Sequence, residues 1–202
     1  MNKPFAVTGA TFVSPKGKAL WCKVTEPDRK FDPEGTLSTS LVLNPESPDV
    51  KAFIESLEEL QDKAYTETVE SLGAKGSQVR KRPIYTAHVD QNGNQTGNIV
   101  FKFALKNVDA RKAKGSPHTI GVVDSQKQPV HPVPLVGNDS TIRVASYVYP
   151  YYMAMSKEIG LSMMWTKMQI IDLVSYAVDE FDAEDGFTAE AASPESFGED
   201  DF

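Results

Sequence analysis

Residues 142–151 alternate with a period of two. Ile142, Val144 and Val148 fall on one side; Arg143, Tyr147, Tyr149 and Tyr151 fall on the other, with Tyr152 just beyond Pro150. Successive side chains of a strand point to opposite faces, so this run predicts a strand with an apolar inner face and a row of tyrosines outside. One cation among outward aromatic rings is what unpaired bases stack upon, with the arginine taking a phosphate. The same row also suits a second core layer or a contact between two copies of the chain. Residues 100–106 repeat the pattern, with Phe101, Phe103 and Leu105 on one face and Val100, Lys102, Ala104 and Lys106 on the other. Here the phenylalanines are expected in the core and both lysines in solvent. Trp21 and Trp165 are weaker stacking candidates, because a buried tryptophan is commoner than a stacking one.

The remaining elements fit around these two strands. Residues 5–8, 21–25 and 37–43 are β-prone, and 26–35 read as a polar loop punctuated by Pro27, Pro33 and Gly35. A helix is predicted over 47–72. Ser47 caps it, Pro48 suits its first turn, and Asp49 favours the positive end of its dipole. Val50, Phe53, Ile54, Leu57, Leu60, Ala64, Thr68 and Leu72 keep helical spacing until Gly73 stops it, and Glu55, Glu58, Glu59, Asp62, Glu67 and Glu70 form a solvated outer face. Asn92-Gly93 marks a hairpin turn before the strand at 98–106. Residues 119–123 and 161–174 complete the set; the latter lacks a clear period and is read as a strand rather than a helix. About six strands and one long helix predict a mainly β, α+β chain, a small barrel or sandwich. An OB-type barrel carrying the helix as an insertion fits best.

Charge is divided along the chain. The 202 residues carry 21 basic and 28 acidic side chains, a net −7. Ten of the acids lie between Asp179 and Phe202, where there is no Lys or Arg, which leaves residues 1–178 at about +3. The sequence therefore predicts a folded domain over 1–178 and a disordered acidic tail over 179–202, too poor in apolar residues to fold alone. Within the domain, residues 75–114 hold nine basic side chains against Asp90 and Asp109. Arg80, Lys81, Arg82, Lys102, Lys106, Arg111 and Lys112 belong to this stretch, a phosphate-attracting surface that the overall acidity conceals.

Several chemistries are excluded. His88, His118 and His131 stand in separate segments without metal-ligand spacing, and neither a phosphate-binding glycine loop nor a dinucleotide fingerprint occurs. The body's acids concentrate on the helix, which disfavours a carboxylate metal nest. No enzyme, metal or cofactor is expected. Cys22, the single cysteine, permits neither an intrachain disulfide nor a thiolate cluster. The opening residues lack the apolar core of a signal peptide, and no run reaches the ~18 apolar residues of a membrane helix. The expectation is a reduced, intracellular, soluble chain, on which the sequons at Asn94 and Asn138 are chance matches.

Val122-Val-Asp-Ser125, Val133-Pro-Leu-Val-Gly137, Ser140, Ile142-Arg-Val144 and Pro150-Tyr151 occur in that order, supported by Pro27-Asp28, Gly35, Ala64-Tyr65, Phe101-Lys-Phe103, Gly160 and Ser162, and the chain ends Glu199-Asp-Asp-Phe202. This ordered set resembles the single-stranded DNA-binding proteins of T7-type short-tailed bacteriophages, from about residue 27 to 176 and again at the C-terminus.

The resemblance implies an OB-fold with an extra helix, no catalysis, and a role in phage DNA replication and recombination in the cytoplasm of the infected host. It also implies that the tail, through Glu199, Asp200, Asp201 and Phe202, contacts the phage DNA polymerase and helicase-primase. Tyr151 matches a DNA-stacking position, and Lys102 and Arg143 match basic positions near the groove. The tyrosine row leaves a homodimer possible, and the lack of a long apolar run leaves no expectation of a membrane partner. From a different class, an acidic-tailed protein-interaction or chaperone module would use the aromatic face for a protein partner.

Overall fold

The alternating runs pair with one another. In a computed structural model of the chain, which describes residues 4–108 and 117–175, the longest strands are β2 (Gly17–Asp28), β3 (Thr36–Leu43), β6 (Gln95–Lys106), β8 (Thr141–Met153) and β9 (Glu158–Asp172). β2 pairs antiparallel with β3, and β3 with β6 in unbroken register from Thr36↔Lys106 to Leu43↔Ile99. β6 meets β9 in parallel at Ala104↔Met164, and β9 runs antiparallel to β8 along its whole length. β8 returns to β2 through Gly17↔Ile142 and Lys18↔Thr141. The pairings thus form a closed circuit of five strands. Short strands extend it: β1 (Ala10–Val13) on β8, β4 (Arg80–Lys81) and β7 (Gly121–Val123) parallel to β9, and β5 (Thr86–Val89) in a hairpin with β6.

Inside the circuit lie the inner-face residues, among them Leu41, Phe101, Phe103, Ile142, Val144, Val148, Trp165 and Met168. Phe101 and Phe103 are wholly buried, as their alternation predicts. Trp165 is buried as well, its Nε1 donating to the Lys167 carbonyl at 3.1 Å. The run at 161–174, which lacks a clear period, is strand β9, and its apolar residues are shared between core and outer face.

Helix α1 (Pro48–Leu72) covers one end of this core and buries Val50, Phe53, Leu57, Gln61, Ala64 and Thr68, with the Phe53 ring edge-on to Phe101 at 5.3 Å. Its bounds match the expected span, and Gly73 closes it with a positive φ of 53°. Ser47 stands at the N-cap, but its hydroxyl makes no capping bond; the Asp49 carboxylate accepts the Val50 N–H at 3.0 Å instead. A second cluster (Phe5, Ala64, Val79 and Ile159, with Tyr65, Val69 and Tyr152 against it) lies under the helix.

Two local expectations fail. Residues 5–8 are not a strand: Phe5 anchors in the second cluster, and the Ala6 and Val7 N–H groups donate to the Glu67 carboxylate at 2.7 and 3.2 Å, so a helix side chain replaces a neighbouring strand. That draws Glu67 out of the purely solvated face. The loop expected from residue 26 begins later, because β2 continues to Asp28, paired to Thr36.

Candidate nucleic-acid interface

Paired residues of neighbouring strands share a face, so the register decides which candidate side chains meet. Arg143, Tyr147, Tyr149 and Tyr151 all stand on the outer face of β8, half-buried, while Ile142, Val144, Val148 and Pro150 turn inward. On β9 their partners are Gln169 for Arg143, Met164 for Tyr147, Ser162 for Tyr149 and Gly160 for Tyr151. Small residues opposite the last two tyrosines leave room for rings to lie across the sheet. A Cβ on Gly160 would collide with the Tyr151 hydroxyl and ring, so this ring rests on the Gly160 backbone with its other side turned away from the sheet. The Tyr147 and Tyr149 rings lie 6.1 Å apart at 32°, and the Gly9 backbone crosses close to both. Among the described residues, Arg143 donates through Nε to the Ser14 carbonyl at 3.1 Å, one of its five donors.

The lysines join this face through one row. Lys23 of β2 pairs with Ser38, Ser38 with Ala104, Ala104 with Met164 and Met164 with Tyr147. Lys102, two residues before Ala104, points the same way and is exposed; the matching step back along β9 makes it level with Ser162, the partner of Tyr149. Lys106 also faces outward, 3.6 Å from the Asp32 carboxylate. With the lysine exposed and the carboxylate only partly covered, such a pair is worth about 1 kcal/mol and can yield to a phosphate.

At the rim, three consecutive basic residues divide. Lys81 pairs with Ile159, whose other partner is Tyr152, and all three turn toward α1. The Lys81 ammonium pairs with Asp62 and lies 5.7 Å above the Tyr65 ring. Arg80 and Arg82 have the opposite parity. Arg80 pairs with Glu158, and the Arg82 N–H donates to the Ile159 carbonyl at 2.8 Å, which sets Arg82 across Gly160 from Tyr151. The fold therefore gathers Arg143, Tyr147, Tyr149, Tyr151, Lys102, Arg80 and Arg82 on outward faces and sends Lys81 and Tyr152 to the helix side. Arg111, Lys112 and the whole of 179–202, with Glu199, Asp200, Asp201 and Phe202, lie outside the described residues.

Two exposed aromatics escape the alternation pattern, Trp21 (68% exposed) and Phe31 (90%). Phe31 sits in the β2–β3 turn with the Lys30 ammonium 5.4 Å from its ring centre; only its place in a polar loop hinted at its exposure. Three titratable groups among the described residues are shifted from their ordinary values. Burial pushes the Cys22 thiol up to about 11, against a weaker opposing hydrogen bond with Thr39, and this keeps it from acting as a thiolate. Asp28 and Asp90 are held below the usual carboxylate range chiefly by backbone N–H donors, from Lys30 and Asn94 respectively, in their turns. Among the described residues no three His, Cys, Asp or Glu side chains are grouped to hold a metal, and no helix is long and apolar enough to cross a membrane. A cavity of about 860 Å³ opens between β2 and residues 117–133, lined by Val24, Arg29, His118 and Ile120 among others. None of Tyr147, Tyr149 and Tyr151 lines it, although Lys167, the partner of Ala145, does; an extended polymer needs an open track rather than a pocket.

Residues 17–173 match the family described as single-stranded DNA-binding protein, bacteriophage T7. The chain belongs to that family. The match runs from the first residue of β2 past the last of β9, taking in the whole five-stranded circuit. The single-stranded DNA-binding protein of Escherichia phage T7 is 24% identical over 188 residues, covering 84% of this chain and 81% of the relative. That of Enterobacteria phage T3 is 24% identical over 151 residues, and the match spans 72% of this chain and 65%, just under two thirds, of the T3 protein. Among solved structures, gp2.5 of bacteriophage T7, a single-stranded DNA-binding protein, superposes with a TM-score of 0.67 at 21% identity over 90% of this chain and 99% of its own. The single-stranded DNA-binding protein of bacteriophage Enc34, solved in complex with single-stranded DNA, gives 0.50 at 11% identity over 80% and 86%. At these identities the structural likeness is one of fold.

Proposed function

We propose that this chain is a non-enzymatic, sequence-tolerant single-stranded DNA-binding protein. The observation that carries the reading is the meeting of cations and rings on one outer surface, Arg82 beside Tyr151 across Gly160 and Lys102 level with the partner of Tyr149, in a chain of this family. The closed five-strand circuit is the pairing pattern of an OB-type barrel, whose outer face is a recurrent platform for oligonucleotides; it favours a folded domain over 1–178 with α1 as an insertion. Lys102, Lys106, Arg143, Arg80 and Arg82 hold the sugar-phosphate track, extended by Arg111 and Lys112. Tyr147, Tyr149 and Tyr151 stack on bases, at about 1–3 kcal/mol for each base engaged.

The biological setting we infer is phage DNA replication and recombination in the host cytoplasm. Residues 179–202, acidic and tethered, compete for the same cationic face at effective concentrations of about a millimolar. Their end, Glu199-Asp-Asp-Phe202, recruits the phage DNA polymerase and helicase-primase. Titration of the full chain with poly-dT and with a duplex of equal length, each at several salt concentrations, tests the core of the reading. Single strands are expected to bind preferentially, with log K falling linearly in log salt. Absence of poly-dT binding at low salt refutes it.

A further inference from the structure

Trp21 occupies a break in the β2–β3 ladder. Pairing is regular to Leu20↔Ser40 and resumes at Lys23↔Ser38, so Trp21 and Cys22 fill an interval where β3 has only Thr39. This is a bulge of two residues against one, a device that re-aims a side chain. Cys22 takes the inward place, its sulfur 4.0 Å from that of Met168, and Trp21 is turned out. Its backbone adopts a φ of 53°, a left-handed value that a bulky residue rarely takes. The conformation is held from outside the strand: the Trp21 N–H donates to the Asn138 side-chain oxygen at 2.9 Å. The extra residue shifts the parity of the rest of β2: strict alternation would bury Trp21 and Lys23, whereas the bulge puts Val24 in the core and leaves the indole and Lys23 outside.

The turned-out indole has a particular setting. Leu20 and Lys23 flank it on the outer face of β2, and behind them follow Ser38 and Ser40 of β3, then Ala104 and Lys102 of β6. Small side chains thus form a floor between lysines on two edges. The Lys23 ammonium rests on Asp28 at 3.2 Å, in an exposed pair that a phosphate readily replaces.

We propose that Trp21 is a base-stacking residue, and that the DNA track continues from Lys102 across Ser38, Ser40 and Ala104 to Lys23 and Trp21. The inference rests on the single-strand-binding reading and extends it to a strand far from the tyrosine row. Strained backbone held by a dedicated hydrogen bond is a mark of functional positions, and an exposed indole offers the largest stacking surface of any side chain.

The two tryptophans make the test direct, because Trp165 is sealed in the core and only Trp21 meets solvent. The full chain and its W21F and W21A variants are titrated with poly-dT under tryptophan-selective excitation. Affinity is followed independently by the anisotropy of a labelled oligo-dT, and mass by sedimentation. Poly-dT should quench the parent's emission and salt should restore it. W21F should bind near the parent's affinity while losing that quench, and W21A should bind about five-fold or more weaker with its thermal midpoint not lowered. Parent-like affinity in W21A, or a quench that survives in W21F, overturns the proposal. So does a W21A that turns a dimer into monomers at unchanged affinity per protomer, which makes the indole a contact between copies. If the parent itself fails to bind oligo-dT, both readings fall; if it binds and any of the other results appears, this one alone does.

Discussion

Gly160→Ala should weaken single-strand binding even though it alters no group assigned to DNA. A Cβ at this position would lie 2.9 Å from Tyr151 Cε1 and closer still to the end of the ring, where ordinary contact begins at 3.4 Å. The hydroxyl end of the ring must therefore retreat by about 1 Å or the side chain must change rotamer; holding it in place costs about 1–3 kcal/mol as overpacking. Gly160 carries no positive φ, so alanine is otherwise compatible with the strand. The ring gives way and loses the backbone surface that supports it. If Tyr151 stacks a base worth about 1–3 kcal/mol, displacing it lowers affinity roughly 5- to 150-fold, at most the loss from Tyr151→Ala. Oligo-dT anisotropy on Gly160→Ala, Tyr151→Ala and the double variant measures this, with thermal unfolding alongside. Because the two changes act through one ring, the double variant should bind no worse than Tyr151→Ala. Additive losses, or parent-like binding by Gly160→Ala when Tyr151→Ala binds weakly, would refute the reasoning.

Replacing Lys102 and Arg143 together by Ala should reduce the salt slope of binding by roughly 0.7 for each phosphate no longer neutralised; an unchanged slope in a salt titration moves the track elsewhere, to Arg80 and Arg82 first. Phe103→Ala should cost about 3–5 kcal/mol in urea unfolding, and Tyr152→Ala should likewise register in stability rather than affinity. Loss of DNA affinity at unchanged stability in either variant would reverse the assigned faces. Because the folded Cys22 pKa, about 11, lies above the ordinary 9.0, the neutral thiol stabilises the fold fully below about pH 9, and that contribution is lost as pH rises through about 11. Alkylation of the native chain at about pH 8 should accordingly be slower than that of a free thiol, and equal rates would contradict the burial. Deleting residues 179–202 changes the net charge from −7 to about +3 and should tighten poly-dT binding most at low salt; equal affinities at low salt would end the competition mechanism.

What the sequence made legible is what depends on local period. The β8 alternation, the burial of Phe101 and Phe103, and the span of α1 each follow from side-chain spacing that tertiary contacts did not override. Readings went astray where a partner distant in sequence supplied the deciding contact. Residues 5–8 look like a strand until Glu67, sixty residues away, accepts their N–H groups. Trp21, a weaker stacking candidate by sequence, owes its outward place to a bulge, pinned by Asn138, that adds one residue to β2. Tyr152 follows three tyrosines of the outward row but has the opposite parity, which its pairing to Ile159 makes visible. Lys81 and Arg82 are equivalent in any charge count, yet the ladder separates them.

That separation shows how the helix reaches the site without touching it. The Gln61 side chain, buried in α1, donates from Nε2 to the carbonyls of Arg82 at 2.8 Å and Ile159 at 3.0 Å. The first carbonyl follows β4 and the second belongs to β9, so one amide group clamps the two strands in the register that their own short ladder has only two residue pairs to define. A slip of one residue would exchange the faces of Lys81 and Arg82, since side-chain direction has a period of two. Arg82 would then turn toward Asp62 and Tyr65, and Lys81 would stand beside Tyr151. Moving the Arg82 carbonyl off this amide would leave a part-buried acceptor without its donor, at a cost of up to about 1–3 kcal/mol, which favours the observed register. The polar residue on the apolar face of α1 is therefore where core packing sets the electrostatics of the outer surface.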